Sequence, residues 1–226
     1  MHLLLHIRDL CIEFLFPRSS RVIELEQLST DTLLQTLPGA EILEDRNTVA
    51  LFNYSHPIVK EIVWEVKYRG NTKIAGKLGG ILYDTIIHEL ADRSLFEKWG
   101  LSTSSGERLI LMPIPISDKR RFERGWNQSE ILAEAIHSYD SGKMFKYLPR
   151  QLAKLHHTES QTKTGSRSER LKNLKNSMKV LNESQVEGAC VVVVDDVTTT
   201  GSTFREAERA LHAAGAKKIL CIALAH

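Results

Sequence analysis

Apolar and polar positions along this chain follow two different periods. GACVVVVDD (188–196) is a β-branched run that no polar residue interrupts before its two terminal acids. A strand apolar on both faces suits the centre of a parallel sheet, where helices cover both sides. RLILMPI (108–114) and AKKILCIALAH (216–226) read the same way, TVALFNY (48–54) reads as a further strand, and another is expected near 178–181. FKYLPRQL (145–152) predicts a strand entering a loop. Between these runs the spacing becomes helical. Pro57 opens a helix through IVKEIVWEVKY that Gly70–Asn71 ends. A long helix over 72–92 carries Ile74, Leu78, Ile81, Leu82 and Ile86 on one face. Asn127 caps QSEILAEAIHSY, and STFREAERALHAAG (202–215) closes at Gly215. Helices alternating with apolar strands predict an α/β protein with a parallel sheet and right-handed crossovers.

The first 47 residues fit this alternation poorly. Leu3, Leu4, Ile7, Leu10, Cys11 and Phe14 place an amphipathic helix over 1–16, which Pro17 and Ser19–Ser20 break. Residues 18–47 show no clear period beyond a turn at Pro38–Gly39. Two domains are expected: a small helical appendage over 1–47 and the α/β unit over 48–226. Arg8, Asp9 and Glu13 interrupt the apolar N-terminus, so it reads as a helix packed on its own domain, not as a leader or membrane anchor. A cytoplasmic location follows as the default expectation.

Composition narrows the function classes without choosing one. Lys and Arg total 30 against 28 Asp and Glu, a net charge of +2, which drives neither nucleic-acid nor membrane binding. Cys11, Cys190 and Cys221 form no C-x-x-C pair, and the latter two fall in predicted strands as buried thiols.

The chemistry concentrates in VVVVDDVTTTGST (191–203). A buried strand ends in Asp195 and Asp196, and a short loop then enters a helix. Ligands of open α/β sheets sit outside the carboxyl ends of the strands. Thr199, Thr200, Ser202 and Thr203 offer hydroxyls, Gly201 permits close approach or positive φ, and the helix start turns free N–H groups to the loop. That set suits a phosphate monoester held without a lysine. The two carboxylates accept hydrogen bonds and suit the vicinal hydroxyls of a ribose. A plain capped strand–turn–helix explains one acid and one Thr, not two acids followed by four hydroxyls and a glycine. No Lys follows the glycine, so a Walker A loop is excluded.

This segment resembles the phosphoribosyl pyrophosphate (PRPP) signature of type I phosphoribosyltransferases, and the resemblance extends to the ComF family of competence-associated proteins. YSHPIVKEIVWEVKYRGN (54–71), LMPIPISDKRRFERGWNQSEILAEAI (111–136) and, more loosely, QTKTGSRSERLKN (161–173) carry it. The resemblance implies a type I phosphoribosyltransferase fold. It implies that Asp195 and Asp196 bind the ribose hydroxyls and Thr199, Thr200, Gly201, Ser202 and Thr203 the 5′-phosphate. Pro115, Ile116 and Ser117 would form the pyrophosphate loop, Mg²⁺ would bind mainly through PRPP oxygens, and residues 153–170 would form a mobile cover. It further implies a DNA translocase and single-stranded DNA as partners. Members usually carry paired zinc-binding cysteines after a Phe-Pro step. Here Phe16–Pro17 is followed by Arg18-Ser19-Ser20-Arg21, and a lone Cys11 cannot fill a four-ligand site, so no zinc is expected.

KRRFERGWNQ (119–128) is basic, with an aromatic on each side of Arg124. It suits pyrophosphate or, secondarily, nucleic acid; its place just after PIPIS favours pyrophosphate and a ligand role for Arg124. His156 and His157 are adjacent and read as loop histidines, and Trp64 and Trp99 read as packing residues. The leading expectation is phosphoribosyl transfer from PRPP to a nucleobase or amine, with pyrophosphate leaving. The alternatives are a non-catalytic PRPP-sensing or DNA-uptake accessory protein, and last a scaffold with a vestigial site.

Overall fold

A computed structural model describes residues 19–41, 43, 47–91, 109–155 and 176–226. The β-branched runs become strands. β1 (Thr48–Phe52), β2 (Leu109–Pro113), β3 (Phe145–Tyr147), β6 (Cys190–Val197) and β7 (Lys218–Ala225) form a five-stranded sheet in the order β1-β7-β6-β2-β3. Every pair in it is parallel. β4 (Leu152–Lys154) and β5 (Met178–Val180) make a separate antiparallel ribbon. From β2 the chain steps outward to β3, then returns to β6 and proceeds the other way to β7. The direction therefore reverses between β2 and β6, and this switch point is where such sheets open a crevice at their carboxyl ends.

The period of two along each strand divides the core. Cys190, Val192 and Val194 of β6 pack with Leu109, Leu111, Leu220 and Ile222 against the long helices. Val191 and Val193 join Ile110, Met112, Ile219 and Cys221 in a second core under Phe204. Cys190 and Cys221 are buried free thiols, as their strand context requires.

The helices follow the expected order. α3 (Pro57–Trp64) runs into a π turn at Glu65–Arg69, which Gly70 ends at φ 59°. α4 (Thr72–Ala91) buries Ile74, Leu78, Ile81, Leu82 and Ile86. α5 (Asp118–Arg124), α6 (Gln128–Tyr139) and α7 (Ser202–Ala213) complete the layers. The crossing of α4 and α6 is close because Gly79 has no side chain: a Cβ there would lie 2.5 Å from the Ala135 Cβ and 2.6 Å from its carbonyl carbon. Gly79→Ala must therefore push two helices apart. We expect a loss of about 1–3 kcal/mol, read as a lower denaturation midpoint with an unchanged slope.

Three segments go beyond or against the sequence reading. Residues 18–47, unassigned from sequence, contain α1 (Ser20–Gln27) and α2 (Thr30–Thr36), capped by Ser19 and Ser29. Their buried residues Val22, Leu25 and Leu33 belong to the same core as α4; short helices with one or two inward residues give too few repeats for a period to show. Residues 153–154 are part of the β4–β5 ribbon, not of a loop, and the Leu155 amide continues it by donating to the Ser177 carbonyl at 2.7 Å. FKYLPRQL thus spans the end of the sheet and the start of the ribbon. Trp64, read as a packing residue, packs half-buried at the surface and not in the core: it tilts against Tyr68 at 5.5 Å, with the Arg69 guanidinium 5.4 Å from its ring. The helix over 1–16, Cys11, Trp99, His156, His157 and residues 156–173 lie outside the described residues.

Candidate phosphoribosyl site

The two acids stand at the carboxyl end of β6, beside the switch point, and both are buried, Asp195 at 7% and Asp196 at 3% exposure. Asp195 Oδ1 accepts from Ser129 Oγ at 2.8 Å and from the Asp196 amide at 2.9 Å. Asp196 Oδ1 accepts from Gln128 Nε2 at 3.4 Å, and Lys67 Nζ sits 3.0 Å from its Oδ2. Burial, and then the neighbouring Asp196 charge, push the Asp195 carboxyl up to about 7, against the opposing pull of the Ser129 and backbone hydrogen bonds. Titration near neutrality inside a crevice marks a functional-site candidate on physical grounds.

Two elements bring side chains to the acid pair, the start of α6 and the π turn. α6 begins here because Asn127 caps it: its side chain accepts from the Ser129 amide at 3.1 Å and donates to the Ile114 carbonyl at 2.9 Å. That double tie hangs the helix start from the end of β2 and presents Gln128 and Ser129 to the acids. The π turn supplies Lys67. It is pinned by Trp126, whose Nε1 donates to the Val66 carbonyl at 3.3 Å and whose ring lies under Gly70; a Cβ there would come within 3.0 Å of it.

The hydroxyl loop follows directly. Thr199 and Thr200 are exposed, and Gly201 adopts φ 67° immediately before α7. The N-cap of α7 is Gly201, which makes no side-chain cap, so the first-turn N–H groups of α7 lie at the loop without one. Thr200 Oγ1 donates to Ser202 Oγ at 3.1 Å. The loop is anchored by the Thr198 amide on the Ala225 carbonyl at 3.0 Å, and the His226 ring Nε2 lies 3.0 Å from the Thr199 carbonyl. Arg205, one turn into α7, lies over the glycine: a Cβ on Gly201 would be 3.1 Å from its Nη1. The cradle therefore has a cation beside it, although no lysine follows the glycine.

On the β2 side, Pro115, Ile116 and Ser117 leave the strand as expected. Ser117 Oγ, however, caps α5 by accepting from the Arg120 amide at 3.4 Å. Arg124 closes the wall: its guanidinium stacks 5.2 Å over Tyr68 and Nη1 donates to Gln128 Oε1 at 3.0 Å. The structure thus joins Arg124 to the acid pair through Gln128. Lys154, at the end of β4, has its pKa lowered by burial first and by Arg120 next, while Asp195 opposes the shift.

Lys67, Gln128, Ser129, Arg205 and Lys154 carry no role in the sequence reading. Lys67, Gln128 and Ser129 do fall inside the two segments that carry the family resemblance, and that was the available signal.

A family description, "Phosphoribosyl transferase domain", matches residues 141–226, which include β6, the acid pair, the loop and α7. The chain is 29% identical over 176 residues to the "DNA utilization protein YhgH" of Salmonella typhimurium, covering 76% of this chain and 68% of that one. It is 26% identical over 166 residues to the "Competence protein ComFC" of Bacillus subtilis, covering 74% and 58%. Among solved structures, one titled as the allosteric regulatory enzyme of purine biosynthesis aligns over 72% of this chain and 30% of its own, at 19% identity and a TM-score of 0.38. The five-stranded parallel sheet with an acid pair and hydroxyl loop at its switch point is the type I phosphoribosyltransferase arrangement, and in sequence the chain is similar to these competence and DNA-utilization proteins.

Proposed function

We propose that this protein binds PRPP with Mg²⁺ and transfers its phosphoribosyl group to a nucleobase or amine, releasing pyrophosphate. One observation carries the reading: two buried carboxylates at the end of β6 are followed at once by a hydroxyl loop on an uncapped helix start. A ribose 5-phosphate bridges them, its vicinal hydroxyls donating to Asp195 and Asp196 and its phosphate accepting from Thr199 to Thr203 and the α7 amides. Arg205 adds charge on the phosphate side. Pro115 to Ser117 contribute backbone, and Arg124 contributes charge, on the pyrophosphate side.

No group of three or more His, Cys, Asp or Glu among the described residues could hold a metal by itself. Two adjacent carboxylates fit an ion that keeps its waters and takes most of its ligands from the phosphates it accompanies. Bound in this way, the ion would neutralise charge on the departing pyrophosphate. The chain's own part is to fix the ribose at both ends and to place cations at the leaving side. Structural zinc is not part of this reading.

A second reading is favoured by a separate observation. Arg124 stacks over Tyr68, which is 41% exposed and pairs with the Trp64 ring, and Phe122, two residues before Arg124 on α5, is 73% exposed. Stacked bases and a phosphate backbone are bound by surfaces of this composition, which supports single-stranded DNA and an accessory role in DNA uptake. No described helix is long and apolar enough to cross a membrane.

Calorimetry separates the two readings. PRPP with excess Mg²⁺ is expected to bind saturably, and Arg124→Ala to weaken that binding about tenfold or more. Absence of PRPP binding by the folded wild type would overturn the enzyme reading. Loss of oligonucleotide affinity with PRPP affinity intact would make the accessory reading the right one.

A further inference from the structure

We propose that Lys67 is a ligand-exchanging residue: without ligand it is the counter-ion of Asp196, and when the ribose hydroxyls take Asp196 it swings to the pyrophosphate oxygens. This rests on the PRPP reading above and deepens it, since it assigns a role to a cation that reading does not use.

The argument starts from the oxygens of the acid pair. Asp195 Oδ1 is taken by Ser129 Oγ and the Asp196 amide, and Asp196 Oδ1 by Gln128 Nε2. Gln128 is only 6% exposed and its other end holds Arg124, so it is fixed. Asp196 Oδ2 is different. It is buried and receives no hydrogen bond among the described residues, although the Lys67 ammonium lies 3.0 Å away. The ammonium supplies charge there without an aligned donor. A buried acceptor without a donor requires an explanation, and a sugar hydroxyl entering the crevice provides one.

The neighbouring residues show why Lys67 is the partner that gives way. Its backbone is clamped, with Trp126 bonded to the Val66 carbonyl on one side and Arg124 stacked on Tyr68 on the other. Its side chain is 24% exposed against 5% for Asp196. An ammonium on a flexible four-carbon stem can turn about a fixed backbone, whereas the planar, bidentate groups around it cannot. The π turn matters for the same reason: the extra residue re-aims the side chain from the helix face toward the strand end, a placement common at functional sites. Once neutral hydroxyls occupy Asp196, the displaced cation needs an anion within its reach. The hydroxyl loop holds the 5′-phosphate on the far side of the ribose, which leaves the pyrophosphate.

The test compares two ligands that share the ribose diol and 5′-phosphate and differ in the pyrophosphate. Affinities for PRPP with excess Mg²⁺ and for ribose 5-phosphate are measured by calorimetry at pH 8.5, above the raised Asp195 value of about 7. Lys67→Met is expected to weaken PRPP binding roughly 10- to 100-fold while leaving ribose 5-phosphate binding unchanged or tighter, because a competitor of the diol is gone. Lys67→Gln should show the same selectivity and serves if the methionine variant does not fold. Equal weakening of both ligands would make Lys67 a structural counter-ion only, and unaltered PRPP affinity would remove it from the site; either outcome overturns the inference and leaves PRPP binding standing. Wild-type protein that binds neither ligand would overturn the PRPP reading and the inference together.

Discussion

Asp195→Asn is expected to make the protein more stable at pH 8 and to disable its site. The Asp195 carboxyl is raised from 3.8 to about 7, by burial and then by the adjacent Asp196. The folded state therefore keeps a proton that the unfolded chain gives up. Folded stability falls as pH rises from about 4 to about 7, and above that range the penalty is complete. Asparagine has nearly the same shape, and its carbonyl oxygen can keep the bonds from Ser129 Oγ and the Asp196 amide. The substitution removes the charge and leaves the packing. We expect a gain on the order of 2–4 kcal/mol at pH 8, seen as a melting temperature about 5–10 °C higher, and little change at pH 4. PRPP affinity should fall about 100-fold, since an ionised acceptor for a sugar hydroxyl is lost. A melting shift of equal size at both pH values would show that the gain is not electrostatic. A buried carboxylate pair that costs stability is expected where the sequence is selected for a ligand and not for rigidity.

Glu206→Ala is expected to cost the most stability of any single change proposed for this protein. Glu206 is 5% exposed on α7 and accepts from the Met178 amide at 3.1 Å and from Arg209 Nε and Nη2 at 2.9 Å each. Arg209 Nη2 also donates to the Met178 carbonyl at 2.9 Å. Burial alone would raise the Glu206 pKa, but the Arg209 and Met178 hydrogen bonds outweigh it and leave it lowered. A lowered acid contributes stability above its ordinary value of 4.5, and that contribution is lost as pH falls through the folded pKa. Removing the carboxylate strands the buried Met178 amide and frees the arginine, at about 2–4 kcal/mol. Because Met178 begins β5, the loss should also release the β4–β5 ribbon that carries Lys154. Hydrogen exchange should quicken at Leu152–Lys154 and Met178–Val180 while β6 stays protected. Uniform loss of protection across the sheet would mean that Glu206 supports the whole fold and not the ribbon.

These two carboxylates mark the division between what the chain shows in one dimension and what it does not. β6, α7, α4 and the loop between Asp196 and Ser202 are legible in the sequence because each depends on neighbouring residues. A β-branched run dictates a doubly covered strand, a period of 3.6 dictates a helix face, and acids followed by hydroxyls and a glycine place a polar loop of the kind proposed to hold a phosphate at the strand end. The α1–α2 pair is too short for its period to register, and the pairing of Leu152–Lys154 with Met178–Val180 depends on a partner distant in sequence. Glu206 reads as one more acid on an amphipathic helix until Met178 and Arg209 are placed around it. Lys67, Gln128 and Ser129 likewise read as an ordinary helix end and helix start; the parallel sheet brings them to Asp195 and Asp196 from positions 66 to 129 residues away, a separation at which no local pattern can act. The local rules were sufficient for the identity of the acids and the loop. The charge state of those acids, and the partners that hold or release them, came only from burial and long-range contact, because desolvation and ion pairing depend on what surrounds a group in space and not on what precedes it in the chain.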